Sequence, residues 1–141
     1  MAEDISRDRL SLVLGLFALG NLTNGVWMLL SPTHWYHKLP AAVPDFGPLN
    51  EHFVRDLGTV FVMMALVLGW AALRKAVRVP VLVMVTIFYV LHAVLHVFDT
   101  ARGFVGPEHW ALDLGGVYVP ALLMLGLTWF VIRSTAGEPR G

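Results

Sequence analysis

Long apolar runs alternate with short polar breaks along this chain, and four of the runs are about as long as a bilayer is thick. Residues 10–30, 53–73, 79–98 and 112–132 each approach the ~20 residues that cross a hydrocarbon core. Each is apolar on every side rather than along one stripe, a pattern that suits lipid rather than a water-soluble core. The pattern predicts an all-α protein, a four-transmembrane-helix bundle forming a single integral membrane domain over residues 1–141. No internal repeat or domain boundary interrupts it.

The breaks carry turn chemistry. Residues 31–52 hold Pro32, Pro40, Pro44 and Pro48 and read as a loop, residues 74–78 form a short basic connection, and residues 99–111 contain Gly103, Gly106 and Pro107. Pro80 falls in the first turn of the third span, where a missing N–H does no harm. Pro120 falls inside the fourth and predicts a kink. The leader, residues 1–9, is mixed in charge and no small-residue cleavage site follows the first run, so that run reads as a retained span. The polar tail, residues 134–141, is expected to fray.

Orientation comes from Lys and Arg. Arg7, Arg9, Arg74, Lys75, Arg78, Arg133 and Arg140 fall on one side against Lys38, Arg55 and Arg102 on the other, seven against three. The positive-inside rule then places the N and C termini in the cytoplasm. Trp35, Tyr36 and Trp110 sit at the outer interface and Trp70 and Trp129 at the inner one, as aromatic belts require.

Composition narrows the chemistry. Hydrophobic residues make up 57% of the 141, and ten acidic residues balance ten basic ones. A neutral chain without a basic arm gives no reason to expect a nucleic-acid partner. With no cysteine there is no disulfide, thiolate nucleophile or thiolate metal site, which leaves His, Asp, Glu, Tyr and main chain. The cytoplasmic half of the spans offers only Ser11, Thr86 and Thr128, too few stepping stones for a channel or pump.

The ionisable groups gather instead at the opposite end. His52, Arg55 and Asp56 open the second span, His92, His96 and Asp99 close the third, and His109 and Asp113 open the fourth. His52/Asp56, His92/His96 and His109/Asp113 are each spaced i,i+4, so each pair shares a helix face, and Asp99 continues the His92/His96 face. At 1.5 Å per residue His92 lies about 10 Å below Asp99, well into the apolar layer. Polar groups there normally turn toward protein, so the three faces are expected to converge in one outward-facing cavity. His52, Asp56, His92, His96, Asp99, His109 and Asp113 are the candidate metal ligands, with Asp99 as ligand or orienting group. Zinc, iron, copper or manganese suits such donors. A haem clasped by histidines is a second option. In a third the network only locks helix packing. HxxxH is a weak motif by itself, and Ala93 after His92 excludes HExxH.

Other polar residues have plainer readings. His34 and His37 read as interfacial loop residues, Glu51/Arg55 as a solvated ion pair, and Arg102 and Glu108 as loop charges. Asn21, Thr23 and Asn24 either reach the cluster or cement helices, and Tyr89 lies one turn from His92. Gly58, Gly69, Gly115, Gly116 and Gly126 permit close helix approach.

The polar opening Asn50-Glu51-His52-Phe53-Val54-Arg55-Asp56-Leu57-Gly58 on a plan of four short helices resembles the DoxX-like group of small bacterial membrane proteins. That resemblance implies a multi-pass protein of the bacterial inner membrane and a kinship with quinone-related oxidation; it assigns no catalytic residue. The histidine load departs from that group. The expected function is a membrane protein with an extracytoplasmic His/Asp cluster binding a transition metal, oxidative or hydrolytic if catalytic. The alternative is a non-enzymatic subunit or lipid- or quinone-binding module. Expected partners are the bilayer, a hydrophobic small molecule, and another membrane protein or a second copy.

Overall fold

A computed structural model describes residues 9–136, so Arg7, Arg140, most of the leader and the end of the tail lie outside the described residues. Among the described residues there is no strand, and four helical stretches are long and apolar enough to cross a membrane: Arg9–Leu30, Glu51–Leu73, Lys75–Ala101 and Leu114–Ala136. The helices are α1 (Arg9–Leu30), α2 (Pro32–Lys38), α3 (Glu51–Leu73), α4 (Arg78–Ala101), α5 (His109–Leu112) and α6 (Val119–Ala136). They divide into two compact units, Met1–Arg78 and Val79–Gly141.

In the first unit α1 packs on α3. The buried side of α1 is Leu14, Asn21, Gly25 and Met28, a helical stripe, and its outer part, Gly25 and Met28, meets Gly58 and Val54 on α3. Gly25 and Gly58 set the separation. A Cβ on Gly25 would stand 2.8 Å from the Gly58 carbonyl oxygen and 2.9 Å from the Val62 nitrogen, so backbone lies against backbone. α3 starts at Glu51 because the Asn50 side chain accepts from the Phe53 N–H at 3.1 Å, and Glu51 suits the positive end of the helix dipole.

The proline-rich segment is more ordered than its composition suggests. Pro32 serves as a helix start, and α2 buries Trp35 and Tyr36 against Met28 and Val54. Three ring groups fasten it. Trp35 Nε1 donates to Asn24 Oδ1 at 2.9 Å, Trp27 Nε1 donates to His34 Nδ1 at 2.9 Å, and the Tyr36 hydroxyl donates to the Gly47 carbonyl at 2.6 Å. His34 therefore belongs to a short helix and is bonded to α1. Asn21 donates to Phe17 O and Thr23 to Leu19 O, so these polar groups of α1 satisfy their own helix. At the other end of the unit Arg78 is buried, its Nε donating to Ala71 O at 3.1 Å and its Nη2 to Ser11 Oγ at 2.8 Å.

The second unit joins the rest of α4 to α5 and α6. The hydroxyls of Thr86 and Thr128 lie 2.7 Å apart, one donating to the other, and the carbonyls of Met124, 3.2 Å from Thr86 Oγ1, and Leu82, 3.4 Å from Thr128 Oγ1, are the acceptors within reach of the remaining hydrogen. The two helices are thus tied by a buried polar clamp. α4 ends at Ala101, and the turn beyond it passes through Gly103, whose φ of +74 lets Gly103 N–H return to Thr100 O and Phe104 N–H to Asp99 O. The fourth span is not one regular helix. Leu114–Tyr118 forms a π turn, with the N–H groups of Val117 and Tyr118 both reaching Asp113 O, and α6 follows with Pro120 in its first turn. The widened turn lies just before the proline, which suits local adjustment around a missing N–H.

Candidate functional site

The densest polar cluster of the second unit is built around Asp113. The chain turns from Pro107 into the one-turn helix α5, which carries His109 at its start, and Asp113 follows it; both side chains are fully buried. From α4, His96 brings Nδ1 to 2.8 Å from Asp113 Oδ2. His109 Nδ1 lies 3.6 Å from the same oxygen, an ion-pair distance longer than a hydrogen bond. One carboxylate oxygen thus faces two imidazole nitrogens. The other, Asp113 Oδ1, is buried and has no hydrogen-bond partner among the described residues.

His92 extends the group. Its ring meets that of His96 edge-on at 4.5 Å between centroids, and the Phe88 ring stacks on its other side at 5.8 Å. Helical spacing produces this column, since residues 88, 92 and 96 rise on one face. Tyr89, expected near His92, is buried with its ring edge-on to Phe88.

With Asp113 ionised its oxygen only accepts, and the hydrogen bond at 2.8 Å then takes its proton from His96 Nδ1. In the neutral ring Nε2 then carries the lone pair. A carboxylate behind Nδ1 is the arrangement that orients imidazole for a ligand at Nε2.

The remaining candidates are engaged elsewhere. Asp99 Oδ1 accepts from Arg102 Nε at 2.9 Å and Nη2 at 2.8 Å. The guanidinium lies between the rings of Phe98 and Phe104, at 5.2 and 4.6 Å from their centroids. Arg102 is therefore the partner of Asp99 rather than a loose loop charge. His52 and Asp56 belong to the first unit and pair with each other, Nε2 to Oδ2 at 3.4 Å, with side chains 88% and 63% exposed. Arg55 pairs with Glu51 at 3.2 Å, as the spacing suggests, and Thr33 of α2 donates to Glu51 at 2.9 Å.

As the side chains stand, no three His, Asp or Glu residues among the described residues are arranged to hold a metal ion. The shortest contact, His96 with Asp113, crosses between helices, as expected of the His92/His96 and His109/Asp113 faces. One feature of the site escaped the sequence. Tyr118 follows Asp113 by five residues, which places them on one side only because the intervening turn is π; Pro120 was the available signal for that irregularity. The chain matches no family model, no curated protein and no solved structure.

Proposed function

We propose that this is a multi-pass protein of a bacterial inner membrane, both ends cytoplasmic, in which the imidazoles of His92, His96 and His109, oriented by Asp113, bind a transition metal on the outer side. Kinship with the DoxX-like group, carried by residues 50–58, is part of the same reading. The observation behind the site is the hydrogen bond between Asp113 Oδ2 and His96 Nδ1 at 2.8 Å, with His109 Nδ1 3.6 Å from the same oxygen. Nitrogen donors of this kind suit zinc, copper or iron. With few protein ligands the ion keeps open positions, and there it would activate water or change redox state.

Element analysis of the purified protein tests this. The expected result is a near-stoichiometric transition metal that is lost in the His96→Ala/His109→Ala variant and bound about 10- to 100-fold more weakly in Asp113→Asn, the usual cost of removing an orienting carboxylate. Wild-type protein that is folded and metal-free overturns the reading. A visible absorption spectrum of the same sample tests haem. The competing reading, a polar lock for helix packing, is favoured by the absence of three converging ligands among the described residues; it predicts metal-free protein.

Orientation has its own test. A cysteine placed at Ala41 should react with an impermeant thiol reagent in intact cells and one at Ala76 should not, because the basic excess lies on the Ala76 side. The reverse labelling pattern would move the cluster to the cytoplasmic face.

A further inference from the structure

Within the first unit the last turns of α1 and the short helix α2 form a corner, and an open groove runs along it. Leu22, Thr23, Val26, Trp27, Leu30 and Ser31 line the groove, which holds about 490 Å³, a size common among ligand clefts. From Leu22 to Leu30 it follows about 12 Å of helix at 1.5 Å per residue. Thr23 returns its hydroxyl to Leu19 O, so the floor of the groove presents carbon. Only Ser31, at the α2 end, offers a polar group.

That end is rich in donors. α2 contains no Asp or Glu, and Ser31, His34 and Lys38, all exposed, follow one another on one side of it at helical spacing. Trp27 connects this side to the groove, its Nε1 donating to His34 Nδ1 at 2.9 Å with the two ring centroids 5.5 Å apart. An indole N–H only donates, so Nδ1 accepts, and the neutral His34 ring then carries its hydrogen on Nε2, as a second donor. Lys38 has no acidic partner among the described residues. Glu51, the acid that α2 meets on α3, is engaged by Arg55 at 3.2 Å and Thr33 at 2.9 Å. The α1 span ends at Leu30, so α2 lies where headgroups begin, and Trp27, Trp35 and Tyr36 are side chains that favour that depth. A hydroxyl, a ring N–H and an unpaired ammonium above an apolar groove match an anionic phosphodiester that carries acyl chains. A choline headgroup would bring a second cation against Lys38.

We propose that the corner between α1 and α2 binds one anionic phospholipid, its phosphate held by Ser31, His34 and Lys38 and one acyl chain lying in the groove over Leu22, Val26 and Leu30. This site lies wholly within the first unit and does not depend on metal binding at Asp113.

Native mass spectrometry of the full chain released from detergent and titrated with phosphatidylglycerol or phosphatidylcholine reads the binding directly. One phosphatidylglycerol should be retained in preference to phosphatidylcholine. Lys38→Ala should weaken it about fivefold, the worth of one basic group at an anionic lipid surface, and Lys38→Arg should keep it. Val26→Trp, which fills the groove and leaves the polar groups in place, should also weaken it. Lys75→Ala removes the same charge from the connection before α4 and should have no effect. Inorganic phosphate in large excess should not displace the lipid. Lys38 and Val26 are exposed, and circular dichroism verifies that each variant keeps its helices. Equal retention of the two lipids, an equal loss in Lys75→Ala, full binding by Val26→Trp, or displacement by inorganic phosphate overturns the proposal.

Discussion

Gly25→Ala is expected to lower the thermal midpoint of the protein in detergent, whereas Gly20→Ala on the same helix leaves it unchanged or raises it slightly. The substitutions are chemically identical, and helix propensity favours both by up to ~1 kcal/mol. Space decides the difference. A Cβ on Gly20 meets nothing within 4 Å, while one on Gly25 is pressed to 2.8 Å from Gly58 O, 2.9 Å from Val62 N and 3.0 Å from Phe61 Cβ. The first two are backbone atoms of α3, which no rotamer change can move aside, so α1 and α3 must separate and loosen Met28 and the rings packed around it. Overpacking of this kind costs typically ~1–3 kcal/mol, enough to exceed the propensity gain. Equal midpoints for the two variants would show that this crossing is not tight.

The same comparison explains why some of the architecture was legible and some was not. The four spans follow from length and apolarity alone, because a bilayer core imposes a minimum length that the runs at residues 10–30, 53–73, 79–98 and 112–132 nearly meet. Helix contacts are not encoded that way. The sequence marks Gly58 and Gly126 as equally able to admit a neighbour, yet a Cβ on Gly58 meets Met28 Cβ at 3.0 Å and one on Gly126 meets nothing within 4 Å. Likewise four prolines between residues 31 and 52 suggest a loop, and the helix from Pro32 to Lys38 is stabilised by what Trp35 and Tyr36 bury, a tertiary effect outside local propensity. Within the candidate site, periodicity sets which partners share a helix face, and the cost of polar groups in lipid predicts that all three faces turn toward protein, whereas His52 and Asp56 are exposed.

That limit is sharpest for two pairs with the same spacing, and it sets the last expected result. His52/Asp56 and His109/Asp113 are both His-x-x-x-Asp, but the first pair is exposed and the second has no exposed side-chain surface. In metal-free protein Asp56→Ala should shift stability by no more than about 0.5 kcal/mol, since exposed ion pairs contribute little. Asp113→Ala should be severe. It removes the acceptor 2.8 Å from His96 Nδ1, a part-buried contact whose loss costs up to ~1–3 kcal/mol. Asp113→Asn keeps an acceptor oxygen and nearly the same volume, so it should lie between the two. Unfolding midpoints in detergent, read for all three variants after EDTA treatment, check the order. Combining Asp113→Ala with His96→Ala should cost less than the sum, by about 0.5–3 kcal/mol, because the second deletion removes the group that the first orphaned. Strict additivity would mean that His96 and Asp113 do not share a bond, and the Asp113-centred site would fall with it.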